Sequence, residues 1–310
     1  MMYNPAMLRQ TTRRTVLATF AGSAMRSSTA RPLRLGAPIF LKSEDPRELA
    51  REHRRLGYSA AYCPSVTPGD TVKAHEIEKA FAAENVVTAE VGAWVNMLDP
   101  DPERRRSNLR TVTERLAVAD QVGARCCVDI SGSYHPKVWY APHPDNLSQR
   151  FFDATVENCR RLIDEVKPKR TKMTLEIMGW TLPDGPDSYL KLIKAIDRKA
   201  FGVHLDVCNA INSPALFYRS GEFIAECFRK LGPYVASCHA KDLDWPIEMN
   251  VHFVEVIPGR GQVDYRSYLS QLSKLNDVPL MLEHLKTAEE YEEAKKYIQK
   301  VAQELGLQFA

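Results

Sequence analysis

The sequence predicts an α/β fold, a single-domain (β/α)8 TIM barrel that spans residues 34–310. From Arg34 onward, short apolar runs alternate eight times with longer amphipathic segments, as expected for parallel strands joined by helical crossovers. No change of composition marks a linker within this region. The first apolar run is followed by KSEDP and contains no GxGxxG motif, which disfavours an open dinucleotide-binding sheet.

The predicted strands are short and rich in β-branched or buried residue types. Between them, start signals such as Asp45-Pro46, Ser148 and Thr287 precede amphipathic runs with helical periodicity. Eight units of this kind favour a closed barrel over an open sheet. The eight strands are predicted at residues 34–40, 59–64, 86–94, 125–131, 172–179, 201–208, 235–242 and 279–285.

Residues 1–33 form a basic segment that differs from the rest of the chain, because no Asp or Glu occurs before Glu44. The run TTRRTVLATFAGSAM (11–25) resembles a twin-arginine export signal. A disordered basic tail and an organellar transit peptide fit the same composition. The apolar stretch is shorter than the roughly 20 residues that a transmembrane helix needs, so no membrane span is expected. Cytoplasmic location and export of the protein both stay open.

The charge of the chain argues against a polyanionic partner. The formal net charge is +3 over 310 residues, and basic and acidic side chains are interleaved along the body of the sequence. No extended basic surface for nucleic acid is therefore expected. The seven cysteines form no CxxC motif, which indicates reduced core residues.

The fifth to eighth predicted strands each carry one residue that can bind a metal: Glu176, Asp206, His239 and Glu283. Active sites of (β/α)8 barrels lie at the carboxyl ends of the strands. Ionised carboxylates buried among apolar side chains need a compensating cation. Three carboxylates and one imidazole favour Mn²⁺, with Mg²⁺ or Co²⁺ as alternatives, over a thiolate-type zinc site. His204 lies one layer deeper and is expected to form a core hydrogen bond.

These motifs resemble the sugar phosphate isomerase/epimerase superfamily, the xylose isomerase-like barrels that include ketose 3-epimerases. The resemblance implies that the four residues bind one divalent metal. The segment PGRGQVDY (258–265) is similar to the PGxGxxD signature of the superfamily. Two positions differ from ketose 3-epimerases: Asn209 replaces a His, and Arg260 replaces the usual acidic residue of the PGxG turn. The substrate class therefore stays open.

The chemistry and the resemblance together predict a metal-dependent sugar isomerase or epimerase. Proton transfer beside a carbonyl needs a base, an acid and stabilisation of the enediolate oxygen. We expect Glu176 and Glu283 to exchange protons with the sugar carbon, while Asp206 and His239 mainly hold the metal. The expected partner is a small sugar or glycoside. A homo-oligomer is expected, and a second, different subunit is the alternative.

Several residues near the strand ends are candidates for substrate contacts. Trp94 and Trp180 are suited to packing against a sugar ring, and Asn209 can hydrogen-bond a hydroxyl. The long loop after the fourth strand contributes His135 and His143, since long loops at this face are usually functional. Three further residues are expected at the rim: Lys241, Asp242 and Arg260. Their side chains are suited to binding a hydroxyl, carboxylate or phosphate group of the substrate.

Three other functions compete with the isomerase. A lyase or deglycosidase acting on 3-keto-glycosides, of the type that cleaves C-glycosides, uses the same base and metal, and the aromatic loop after the fourth strand favours it. An apurinic endonuclease needs more His and acidic ligands and a basic groove, neither of which the sequence shows. A non-catalytic metal-binding barrel has no need for both Glu176 and Glu283 as acid and base.

Overall fold

Eight parallel strands close into a barrel in the computed structural model, which describes residues 32–310. The described residues form ten strands: β1 (Arg34–Gly36), β2 (Ala60–Tyr62), β3 (Val87–Gly92), β4 (Cys126–Asp129), β5 (Lys172–Glu176), β6 (Phe201–Leu205), β7 (Val235–Ala240), β8 (Asp242–Asp244), β9 (Val254–Val256) and β10 (Pro279–Leu282). Strands β1 to β7 are neighbours in chain order, and β10 lies between β7 and β1. The predicted (β/α)8 barrel is confirmed. The basic segment proposed as an export signal lies outside the described residues, apart from its last two positions.

Helices connect the strands of the barrel and cover its outside. They are α1 (Pro46–Arg55), α2 (Thr71–Ala83), α3 (Pro102–Val122), α4 (Gln149–Val166), α5 (Pro186–Ile196), α6 (Val207–Ala210), α7 (Pro214–Tyr218), α8 (Ser220–Leu231), α9 (Tyr265–Leu272) and α10 (Ala288–Glu304). The side chains of Asp45, Ser148 and Thr287 accept hydrogen bonds from backbone N–H groups in the first turns of α1, α4 and α10. Each predicted start signal is therefore a helix cap. Among the described residues, no helix is both long and apolar enough to cross a membrane.

The structure differs from the sequence prediction after β6 and after β7. The predicted strand at 201–208 ends at Leu205, because Asp206 caps α6 by accepting a hydrogen bond from the Asn209 N–H. Strands β8 and β9 form an antiparallel hairpin that the sequence did not predict. The cap of α6 and the hairpin both turn the chain at the carboxyl end of the barrel. Asp206 and the residues after β7 therefore lie at the same open end of the barrel.

The barrel interior is tightly packed around Gly36, the last residue of β1. Ala60, Ala89 and Met281 are fully buried and form an apolar cluster separate from the main core between strands and helices. A Cβ atom on Gly36 would lie 2.5 Å from the Sδ of Met281 and 2.5 Å from the carbonyl oxygen of Ala60. The absence of a side chain at Gly36 therefore lets β1 approach its neighbours.

We predict that Gly36→Ala lowers the free energy of unfolding by about 1–3 kcal/mol, the usual cost of overpacking a core. Gly185→Ala is the matched control, because a Cβ atom there would meet nothing within 4 Å. Chemical denaturation followed by circular dichroism measures both variants. Equal stability of the two variants would contradict this account of β1.

Candidate metal centre

Four side chains from consecutive barrel strands converge at the carboxyl end of the barrel. Glu176 is the last residue of β5, His239 lies in β7, and Asp206 and Glu283 directly follow β6 and β10. One ligand atom from each of the four residues lies within 4.8 Å of the others. The parallel strands bring together residues that are up to 107 positions apart because they all end at the same mouth.

The imidazole of His239 lies at the centre of this cluster. Its Nδ1 is 2.7 Å from Oε1 of Glu283, 3.1 Å from Oε1 of Glu176 and 3.6 Å from Oδ2 of Asp206. Glu176, Asp206 and His239 are buried, and the side chain of Glu283 is 13% exposed. The four residues thus direct three carboxylates and one imidazole nitrogen towards a common point.

The cluster fits a divalent cation. Oδ2 of Asp206 and Oε1 of Glu283 are buried, and both face Nδ1 of His239 and the ammonium of Lys241. Oδ1 of Asp206 accepts the N–H of Asn209 at 3.0 Å, so Oδ2 is the oxygen of this carboxylate that faces the cluster. Buried carboxylate oxygens need positive charge close by, and this mixture of oxygen and imidazole ligands suits Mn²⁺, Mg²⁺ or Co²⁺.

The charged groups of the cluster shift one another's pKa. Burial raises the pKa of Glu176. Burial would also raise the pKa of Glu283, but the charges of His239 and Lys241 outweigh it and lower that pKa. For Asp206, too, Lys241 and His239 overcome burial and bring the pKa well below its usual range. The two glutamates therefore have opposite shifts, as is common for acid and base partners.

Glu90, which the sequence analysis missed, lies beneath the cluster in β3. Its Oε2 is 3.3 Å from Nε2 of His239, and its Oε1 is 2.9 Å from Nε2 of His204 and accepts a hydrogen bond from Ser237. His204 and His239 outweigh burial and lower the pKa of Glu90, so it is a carboxylate that only accepts hydrogen bonds. Nε2 of His239 therefore donates to Glu90, so Nδ1 is the ring nitrogen that would bind a cation, on loss of its own proton. The signal in the sequence was a carboxylate within the apolar run VVTAEVGAW.

Lys241 and Asn209 add polar groups beside the four candidate ligands. The ammonium of Lys241 is 2.7 Å from Oε1 of Glu283 and 2.9 Å from Oδ2 of Asp206. The amide of Asn209 donates to Oε1 of Glu176 at 2.9 Å, and its carbonyl accepts from Lys241 at 3.2 Å. Asn209 therefore orients Glu176 and faces the same cavity.

A cavity of about 710 Å³ opens directly above the cluster. Glu176, Asn209, Lys241 and Glu283 contribute its polar lining, and its apolar lining includes Trp94, Trp139, Tyr140 and Trp180. The Nε1–H of Trp180 donates to the carbonyl of Tyr140 at 2.6 Å, which ties the loop after β5 to the loop after β4. Trp94 has a φ of 50°, a strained conformation for a bulky residue that is often associated with functional sites.

Four of the residues predicted to contact substrate do not line this cavity. Nδ1 of His135 accepts N–H groups of its own loop, and Nδ1 of His143 accepts the N–H of Asp145. The guanidinium of Arg260 pairs with Glu293 on the surface. Asp242 is buried and accepts the N–H groups of residues 243, 259, 261 and 263, so it holds the PGRG turn. Trp94, Trp180 and Asn209 do line the cavity.

We predict that Glu90→Gln weakens Mn²⁺ binding about 10- to 100-fold, because the amide no longer fixes the proton on Nε2 of His239. Isothermal titration calorimetry measures the affinity, and circular dichroism checks that the fold is kept. Thr174→Val is the matched control, since the Thr174 hydroxyl is also buried but bonds the Cys127 carbonyl. An unchanged Mn²⁺ affinity in Glu90→Gln would show that Glu90 does not position His239.

Comparison with solved structures shows the same fold in proteins of low sequence identity. A xylose isomerase-like TIM barrel protein from Mycobacterium smegmatis in complex with magnesium has a TM-score of 0.61 at 18% identity, over 88% of this chain and 97% of that chain. For 3-keto-D-glucoside 4-epimerase from E. coli, the TM-score is 0.60 at 14% identity, over 86% and 99%. For endonuclease IV from Thermus thermophilus, it is 0.63 at 15% identity, over 87% and 99%.

Sequence comparison gives the family of the chain. No protein with curated annotation matches the sequence. The family model described as xylose isomerase-like TIM barrel matches residues 46–301, which is most of the chain. The protein therefore belongs to the xylose isomerase-like TIM barrel family.

Proposed function

We propose that the protein is a divalent-metal-dependent enzyme that moves a proton beside the carbonyl of a sugar, as an isomerase or epimerase. The observation that carries the proposal is the pair Glu176 and Glu283. Both carboxylates line the cavity, and both belong to the candidate metal cluster. A substrate in the cavity would therefore meet two proton carriers and the metal at once.

The arrangement meets the three chemical requirements of such a reaction. A bound divalent ion polarises the carbonyl and offsets negative charge on its oxygen. One of the two glutamates takes the proton from the carbon next to the carbonyl, and the electron pair of the C–H bond moves to form the enediolate. The other glutamate, or the same one, returns a proton to the same or the adjacent carbon. Glu176 and Glu283 come from strands on either side of β7, and they lie 3.1 Å and 2.7 Å from Nδ1 of His239, which supports separate roles for them.

The comparisons and the cavity support a non-phosphorylated sugar or glycoside as substrate. One structure of the same fold is a 3-keto-D-glucoside 4-epimerase, and another holds magnesium. Aromatic side chains in the cavity wall are suited to the apolar faces of sugar rings. Arg260, a candidate partner for a phosphate group, pairs with Glu293 outside the cavity. We propose Mn²⁺ as the metal, with Mg²⁺ and Co²⁺ as alternatives.

We predict that Glu283→Gln reduces solvent-deuterium incorporation into substrate by about 100-fold or more, the usual contribution of a general acid or base. The amide oxygen still faces the cluster, so metal content should be retained. Mass spectrometry over a panel of free ketoses and 3-keto-glycosides measures the exchange. Glu293→Gln, at an exposed glutamate outside the cavity, should exchange at the wild-type rate. Unimpaired exchange in Glu283→Gln would refute its role.

A second candidate is a lyase that acts on 3-keto-glycosides, which the aromatic wall of the cavity favours. Trp94 is 40% exposed and Tyr140 is 48% exposed, so both present free ring surface to a ligand. Removal of the proton beside the ketone would form an enolate, whose electron pair then expels the group attached to the sugar. That group leaves with the bonding pair and takes up a proton. The aromatic wall is suited to hold an apolar leaving group of this kind.

We predict for the lyase that Trp94→Ala lowers kcat/KM for a phenyl 3-keto-glucoside by about tenfold more than for the methyl 3-keto-glucoside, since an aromatic contact contributes about 0.5–1.5 kcal/mol. Chromatography separates released phenol from an epimerised glucoside. Release of phenol favours the lyase, whereas a new epimer without phenol favours the isomerase or epimerase.

A further inference from the structure

Lys241 is a charged side chain of the cavity to which neither proposed reaction assigns a role. Lys241 directly follows β7. The Tyr265 hydroxyl donates to the backbone carbonyl of Lys241 at 2.9 Å, which holds the backbone of this residue in place. The side chain is buried, so its ammonium is removed from bulk water. It lies 2.7 Å from Oε1 of Glu283 and 3.8 Å from Oε1 of Glu176. The ammonium is thus beside both proposed proton carriers.

We propose that Lys241 is a further catalytic residue. Its ammonium binds the substrate oxygen that becomes negatively charged, and it serves as a second cation next to the metal. This inference rests on the proposed function. It follows from the position of the ammonium, from the charge balance of the cluster and from the hydrogen-bonding capacity of the amine.

The charge balance of the cluster favours a cation in addition to the metal. With all three carboxylates ionised, Glu176, Asp206 and Glu283 carry three negative charges, of which a bound divalent ion would offset two. The ammonium of Lys241 would offset the third. A neutral site can accept the negative charge of an enediolate, whereas a site with one uncompensated carboxylate would repel it.

The hydrogen-bonding capacity of the amine leaves donors for a substrate. Its hydrogen bond goes to Oδ1 of Asn209 at 3.2 Å. The ammonium also lies 2.9 Å from Oδ2 of Asp206 and 2.7 Å from Oε1 of Glu283, within the distance of charge-assisted hydrogen bonds. An ammonium has three N–H donors, so with a divalent ion bound to those two oxygens it would keep the bond to Asn209 and have two donors for a ligand in the cavity.

The ammonium and a metal also compete for the same atoms. Oδ2 of Asp206 and Oε1 of Glu283 are close to Lys241 and are the two oxygens free to bind a cation. When a divalent ion takes these oxygens, the ammonium is repelled from them. Oε1 of Glu255, in β9, lies 3.7 Å from the ammonium and lines the same cavity, which gives it a carboxylate partner on the substrate side.

The first measurement is the Mn²⁺ affinity of Lys241→Met by isothermal titration calorimetry. We expect binding at least about tenfold tighter than in the wild type, because a positive charge close to the ion has been removed. Lys295→Met is the matched control: Lys295 is also buried, but it bonds the Leu56 carbonyl in another part of the fold. Unchanged or weaker Mn²⁺ binding in Lys241→Met would overturn the inference that the ammonium and the metal compete for the same two carboxylate oxygens.

The second measurement is binding of L-threonohydroxamate, whose anion has the shape of an enediolate, to the Mn²⁺-loaded protein. Lys241→Met should weaken this binding about tenfold or more, the value of a hydrogen bond to a charged group, and Lys295→Met should not. Unchanged hydroxamate binding in Lys241→Met would overturn the catalytic role. If Lys241→Met does not fold, Lys241→Arg should keep the wild-type Mn²⁺ affinity and lose hydroxamate affinity, and retention of both would overturn the proposal.

These outcomes separate the role of Lys241 from the proposed function. A wild-type protein that binds Mn²⁺ and the hydroxamate but shows no deuterium exchange with any sugar would refute the function and leave the Lys241 result standing. Deuterium exchange in the wild type, together with unchanged hydroxamate binding in Lys241→Met, would refute only the role of Lys241.

Discussion

Three carboxylates buried at one end of a barrel form the interaction on which the rest of the site depends. Glu176, Asp206 and Glu283 all approach the same imidazole nitrogen, Nδ1 of His239. Such a concentration of negative charge is stable only when positive charge is close. The surrounding groups satisfy this condition: Lys241 pairs with the carboxylates, and Glu90 keeps the proton of His239 on the nitrogen that faces away from them.

The barrel places these groups in two layers. The lower layer contains Glu90, His204 and Ser237, which are buried, and the side chains of His204 and Ser237 both hydrogen-bond Glu90. The upper layer contains the candidate ligands and opens into the cavity. His239 belongs to both, because one ring nitrogen contacts Glu90 and the other faces the carboxylates. Packing beneath the site therefore determines which nitrogen is available for chemistry.

The sequence was sufficient for the fold and for the convergence of the four candidate ligands, for a physical reason. Strands of a (β/α)8 barrel end at a common mouth, so a polar residue late in each strand must approach the others. The same reasoning gave the inward position of His204, whose Nε2 bonds Glu90 as expected for a core histidine. Glu90 was as visible as Glu176 in the sequence, but it lies before the end of its strand.

Loop residues were less predictable because their side-chain partners depend on how each loop folds back. His135 and His143 accept hydrogen bonds within their own loop, and Asp242 is occupied by backbone N–H groups of the PGRG turn. The hairpin of β8 and β9 was missed because its strands have three residues each, with little periodicity. Its effect on the site is direct, since it brings Glu255 to the cavity.

The most direct test of the central claim is the anomalous scattering of Mn²⁺ in a crystal of the full chain. One strong peak is expected between Glu176, Asp206, His239 and Glu283. A crystal with Mn²⁺ bound only elsewhere, or with these four side chains turned away from one another, would contradict the account.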